Sequence, residues 1–165
     1  MLQAEYRDLG EEYVQAVKAH FRDRLVSICF FGSAARGEAS LESDIDVLIV
    51  AEDLPRDLGL RVRDTNSIHE SLKKGQAYRR LRSEGRSAFI SDIYLSPEEA
   101  RSHPPILLDV VDHGVIVYDR GGFLAAVLED IRRKLNELGA RKVVAKKGYY
   151  WVLKPDAKPT EVVEI

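Results

Sequence analysis

The run Phe30-Phe31-Gly32-Ser33-Ala34-Ala35-Arg36-Gly37 is followed seven residues later by Asp44-Ile45-Asp46. In a β-strand residues i and i+2 point the same way, so Asp44 and Asp46 are expected on one face and Ile45 on the other. Two carboxylates held that close repel, and one is driven toward its protonated form unless a cation lies between them. Mg2+ suits such a pair, because it takes hard oxygens and usually binds through one or two carboxylates plus the phosphates of a ligand. Zinc suits it less well, since the sequence has no Cys/His cluster. The turn supplies the complementary half. Gly32 lets the backbone approach a ligand, and Ser33 offers a hydroxyl donor. If residues 33–38 open a short helix, its free N–H groups attract phosphate, and Arg36 adds a charge-assisted contact. A nucleoside triphosphate carrying a divalent metal needs both halves. A tight turn followed by an edge strand with two solvated aspartates is the plainer alternative. Against it, the acids run straight into Val47-Leu48-Ile49-Val50.

The elements that must position these groups follow from hydrophobic patterning. Tyr13, Val14, Val17 and Phe21 fall at helical spacing and predict an amphipathic helix over 9–23. Leu25 to Phe31 reads as a buried strand, and Asp44 to Val50 as a second. Pro55 opens a polar, mostly helical region to about Arg82, with Leu58, Val62, Ile68, Leu72 and Leu81 as its thin apolar stripe. Ala88 to Leu95 reads as a third strand. Ser96-Pro97-Glu98-Glu99 predicts a helix start, with Ser96 as N-cap and Glu99 closing a capping box. A short apolar helix, Ile106 to Val111, precedes a fourth strand at Gly114–Tyr118. Phe123, Leu124, Val127, Leu128, Ile131, Leu135 and Leu138 mark a helix that Gly139 ends. Residues 142–153 alternate around Lys147-Gly148 and predict a terminal hairpin. The expected fold class is mixed α/β (α+β), with helices packed on a mixed sheet. The expected division is a main domain at 1–140, with a hairpin and tail at 141–165 packed on it.

Gly32-Ser33, ten residues, then Asp44-Ile45-Asp46 resembles the signature of the polymerase-beta-type nucleotidyltransferase superfamily. It is more closely similar to the minimal, stand-alone nucleotidyltransferases of prokaryotes. The C-terminal run Tyr149-Tyr150-Trp151-Val152-Leu153-Lys154-Pro155-Asp156 resembles archaeal members. The resemblance implies a mixed sheet, two Mg2+ ions (Mn2+ as substitute) and transfer of a nucleoside monophosphate from a triphosphate, ATP first, to an acceptor hydroxyl with loss of pyrophosphate. It places Ser33 on the triphosphate and Asp44 and Asp46 on the metals. It also implies a third carboxylate on a later strand, to hold the first metal or accept a proton. Asp92 is the candidate, because a charge inside Phe89-Ile90-Ser91-Asp92-Ile93-Tyr94-Leu95 needs compensation. The pattern usually has an apolar residue where Ser91 stands, and an Asp capped by local backbone is the plainer reading. Glu98 and Glu99 are already explained by the capping box. Minimal members of this family often sit beside a small helical partner protein, some acting as antitoxins that adenylylate a toxin. A partner-borne acceptor is therefore expected here.

The remaining signals are weaker. Lys73, Lys74, Arg79, Arg80, Arg82 and Arg86 could meet RNA or a triphosphate tail, but a solvated helix face accounts for them. Arg141, Lys142, Lys146 and Lys147 beside Tyr149, Tyr150 and Trp151 could stack on single-stranded nucleic acid, or form a packed hairpin with exposed lysines. His20, His69, His103 and His113 show no ligand spacing, although His103 and His113 flank a short helix near the expected site. The chain has 165 residues, 45% of them hydrophobic and 32% charged, with a net charge of -2, so nothing global points to nucleic acid. No apolar run is long enough for a membrane helix, and Met1-Leu2-Gln3-Ala4-Glu5 lacks the start of a signal peptide. The lone Cys29 lies in an apolar run and is expected buried and reduced, so a cytoplasmic setting is expected. A homo-oligomer is left open. Two rival readings stand: a nucleotide- or partner-binding module that has lost turnover, and an Asp-x-Asp glycosyltransferase. The second leaves Gly32-Ser33 unexplained and needs a longer chain.

Overall fold

A computed structural model describes residues 2–145, 148–158, 162, 163 and 165. Its centre is β1 (Leu25–Phe31), in which every residue is buried. The next two strands are β2 (Ile45–Ala51) and β3 (Ile90–Leu95), and β4 is Val115–Asp119. They form one sheet in the order β3-β2-β1-β4. β1 runs antiparallel to β2 and β4, whereas β2 and β3 are parallel. Both faces are covered, which is why β1 and β2 read as continuous apolar runs rather than alternating ones.

One face carries α1 (Arg7–Phe21), α3 (Leu58–Lys73) and α4 (Gln76–Ser83). Tyr6, Leu9, Tyr13, Val17, Phe21, Ile68, Leu72 and Leu81 pack there on Ile28, Phe30, Val47 and Ile49. The other face carries α5 (Pro97–Arg101), α6 (Leu107–His113) and α7 (Phe123–Glu137). Leu107, Val110, Leu124, Leu128 and Ile131 pack there on Cys29, Phe31, Leu48 and Val50. The short α2 (Gly32–Arg36) joins β1 toward β2, and β5 (Arg141–Val144) pairs antiparallel with β6 (Tyr149–Val152). Among the described residues no helix is long and apolar enough to cross a membrane.

The expected elements are all present, with two differences. The region after Pro55 is two helices rather than one. Glu12 of α1 reaches the break: its Oε1 accepts from the Ala77 N–H at 3.2 Å, and its Oε2 lies 2.1 Å from where a Gly75 Cβ would stand. Only glycine leaves room for that carboxylate at the opening of α4. The apolar stripe is narrower than expected: Ile68, Leu72 and Leu81 are buried, but its first two residues are not. Leu58 and Val62 are exposed, at 71% and 68%, while α3 buries Arg61, Thr65, Ile68 and Leu72. Arg61 is tolerable there because it is fully engaged. It donates bidentately to Glu99 at 2.7 and 2.9 Å, to the Tyr94 carbonyl at 2.9 Å and to the Pro55 carbonyl at 2.5 Å. Glu99 also closes the expected capping box with Ser96. The hairpin forms as expected; Lys146 and Lys147 lie outside the described residues.

Candidate active site

The site sits where β1 ends. Gly32 opens α2 at φ +68°, a conformation that costs other residues strain, and Gly37 ends the helix in the left-handed region. Asp46, second in β2, pairs with Phe31 across the antiparallel ladder, so its carboxylate comes up beside the turn. A Cβ on Gly32 would lie 2.0 Å from Asp46 Oδ2. The glycine is thus needed twice, for its backbone angle and for its missing side chain. Gly32→Ala is expected to cost about 1–3 kcal/mol of stability and to displace Asp46, so activity falls much further than stability. Urea unfolding compared with the rate of nucleotide turnover checks this.

A cleft of about 500 Å3 opens at this point, lined by Phe31, Gly32, Ser33, Arg36, Asp46, Ile93, Ile106, Asp109, Gly148 and Tyr149. The structure thus brings Gly32, Ser33, Arg36 and Asp46 together. Asp44 lies just before β2 and accepts from the Ser87 hydroxyl at 2.9 Å. Burial raises the pKa of Asp46, and the charges of Asp44 and Asp109 raise it further, with Arg36 opposing them. A carboxylate already burdened by two like charges is a place where a cation is stabilised. Among the described residues no three carboxylate, histidine or cysteine side chains form a metal cage by themselves. Asp44 and Asp46 would instead leave coordination positions to ligand oxygens, as Mg2+ usually requires. Arg36 Nε is held at 2.7 Å from Glu38 Oε2, at the cleft wall.

Asp92, expected as the third acid, is not brought to this cleft. It pairs with Val47, whereas Asp46 pairs with Ser91. Paired residues of adjacent strands share a face, so Asp92 points to the side opposite Asp46, toward α1 and α3. There its Oδ2 accepts from the hydroxyls of Tyr13 and Tyr94, each at 2.7 Å, and lies 2.8 Å from His69 Nε2. The Ser91 that departs from the family pattern is the residue on the Asp46 side. Burial alone would raise the Asp92 pKa, but the hydrogen bonds from His69, Tyr94 and Tyr13 outweigh it and hold the carboxyl below its ordinary value. The same bond to Asp92 raises His69 above its ordinary 6.5, against burial and Lys73.

The two shifts bound a pH window. His69 contributes stability that is whole below 6.5 and is lost as pH rises through its raised folded value. Asp92 contributes stability that is present above 3.8 and is lost as pH falls through its lowered folded value. His69→Gln is therefore expected to be destabilising most strongly near about pH 5, with the gap from native closing above neutrality. Chemical unfolding of both chains across that range checks it.

Asp109 and Tyr149 also line the cleft, although the sequence alone places neither of them there. Asp109 is the lone charge in Ile106–Val111, and the Tyr149 hydroxyl donates to its Oδ1 at 2.5 Å. The other histidines stay outside this cleft. His103 lies instead in a separate cleft, 3.5 Å from Asp130 and from Lys134 Nζ. The basic stretch before β3 is largely partnered: Lys73 with Glu70, Arg80 with Asp8 and Arg86 with Glu5.

A family model described as a nucleotidyltransferase domain matches residues 11–96. A Methanocaldococcus jannaschii protein provisionally named a protein adenylyltransferase is 32% identical over 124 residues, 74% of this chain and 78% of the relative. A second protein of that organism with the same provisional name is 50% identical over 42 residues, 26% of this chain and 42% of its own length. A crystal structure of a toxin-antitoxin with AMP-PNP aligns with TM-score 0.50 over 78% of this chain and 91% of that one, at 16% identity, a likeness of fold. The matched span holds Gly32, Ser33, Asp44 and Asp46, and the chain belongs to the nucleotidyltransferase domain family of enzymes.

Proposed function

We propose that the cleft binds a nucleoside triphosphate, ATP first, and transfers its nucleoside monophosphate to an acceptor hydroxyl with release of pyrophosphate. The observation that carries this is the seat of Asp46 against Gly32, which puts an acid and a phosphate-binding turn in one cleft. Ser33 and the N–H groups at the opening of α2 hold the terminal phosphates, and Arg36 turns from Glu38 to a phosphate oxygen. Asp44 and Asp46 hold the divalent metal, Mg2+ as two ions. Bound there, the metal supplies charge neutralisation for the triphosphate and Lewis-acid activation of the reacting oxygens. The chain's own work is positioning. Phosphoryl-type transfers need the acceptor oxygen and the departing pyrophosphate roughly in line, and a rigid turn on a buried strand holds the α-phosphorus still. The provisional name of the 32% identical relative favours adenylyl transfer to a protein; a small helical partner as that acceptor is our extension from the family resemblance. Such a setting is cytoplasmic, where ATP and Mg2+ are both at hand.

A second reading has one observation in its favour. With Asp92 turned away, the expected third acid is missing from the strand that should carry it, and the fold would then bind nucleotide or a partner without turnover. Pyrophosphate release from each of the four triphosphates, with Mg2+ and candidate protein acceptors, separates the two. Release that depends on Mg2+ and prefers ATP supports transfer. Tight ATP binding with no pyrophosphate from any acceptor overturns it.

A further inference from the structure

We propose that Tyr149 is itself an acceptor: the chain nucleotidylates its own Tyr149 hydroxyl, with Asp109 taking the proton. The inference rests on the nucleotidyl-transfer reading above and adds to it a modification site and a base. Tyr149 opens β6 and lines the cleft together with Ser33, Asp46 and Asp109. There its hydroxyl donates to Asp109 Oδ1 at 2.5 Å. The ring is fixed as well as the hydroxyl. Lys142 Nζ lies 3.7 Å from the ring centroid and donates to Asp112 Oδ2 at 2.6 Å, so two acids one helical turn apart on α6 hold the hairpin at this cleft.

A hydroxyl held against a carboxylate inside a triphosphate cleft has the parts of an acceptor and its general base. Burial and the bond to Asp109 push the Tyr149 pKa up to about 12, so the phenol keeps its proton until a base removes it during attack. In the step, Tyr149 Oη forms a bond to the α-phosphorus as the bond from that phosphorus to the bridging oxygen breaks. Pyrophosphate leaves with the electron pair, and the phenolic proton passes to Asp109 Oδ1. The product is a phosphodiester between tyrosine and the nucleoside. Neighbouring Tyr150 is 55% exposed and on the opposite side of the strand, which makes it a control.

The test incubates the full chain with MgATP and no added acceptor, then measures intact mass, maps the modified peptide and follows pyrophosphate. The native chain and Tyr150→Phe are expected to gain one adenylyl group at Tyr149. Tyr149→Phe is expected to gain none, and Asp109→Asn to gain it about a hundredfold more slowly. Pyrophosphate release to another acceptor with the Tyr149 peptide unmodified would reduce Tyr149 to an anchor for the hairpin and overturn the inference. Labelling of Tyr149→Phe at the native level would overturn it too, and an Asp109→Asn rate equal to native would remove Asp109 from the step. Absence of pyrophosphate from every triphosphate with every acceptor would take down the parent reading, and this inference with it.

Discussion

Asp46→Asn is expected to lower kcat/KM for nucleotidyl transfer about a thousandfold and to leave the fold no less stable. The amide keeps the size and shape of the side chain, so the seat against Gly32 survives. It loses the negative charge that a divalent metal requires. Metal-borne charge stabilisation is worth several kcal/mol in a transition state, and each 1.36 kcal/mol is tenfold in rate. The stability half follows from the pKa. Burial, Asp44 and Asp109 raise the Asp46 carboxyl in the folded chain, so the folded state favours its neutral form. The ionised group therefore opposes folding above its ordinary pKa, and a neutral isostere removes that opposition. Thermal unfolding beside pyrophosphate release reads both halves. A variant that loses activity only because it unfolds would contradict the account.

The opposite pattern is expected of Asp92→Asn: a loss of about 3 kcal/mol of stability with kcat/KM changed by less than about tenfold. Asp92 has a side-chain exposure of 13% and serves His69, Tyr13 and Tyr94 at once. Removing its charge leaves His69 and two buried hydroxyls with a poorer acceptor, and breaking a buried pair costs more than the pair contributes against an apolar replacement. For a chain of this size, about 3 kcal/mol lowers the unfolding midpoint by roughly 10 °C. Assays at low temperature, where the variant stays folded, separate the two roles. A thousandfold fall in kcat/KM in a folded Asp92→Asn chain would place that acid on the reaction after all.

What was legible in the sequence was local. Leu25–Phe31 could be read as a covered strand because both of its faces meet helices, and nothing distant alters that. Gly32, Ser33, Asp44 and Asp46 lie within fourteen residues of one another, at the opening of α2 and the start of β2 with one loop between them. What was not legible depends on register or on partners far along the chain. The face that Asp92 occupies is set by its pairing with Val47, which no spacing within β3 reveals. Only the Ile68 and Leu72 half of the buried face of α3 is legible from apolar residues, because Arg61 is also on that face and its partner Glu99 is thirty-eight residues away. Asp109 meets Tyr149 across forty residues, with β4, α7 and β5 between them. Each looked like an ordinary surface residue in a short apolar or aromatic run.

Movement of a nucleoside monophosphate in this cleft is read by following two isotopic labels in ATP through one reaction. With Mg2+ and an acceptor present, the native chain is expected to leave an α-phosphate label on the acceptor and to release a γ-phosphate label as pyrophosphate. The chain carrying both Asp44→Asn and Asp46→Asn is expected to do neither. Transfer of the γ-label to the acceptor, its release as inorganic phosphate, or unchanged activity in the double variant would contradict the account.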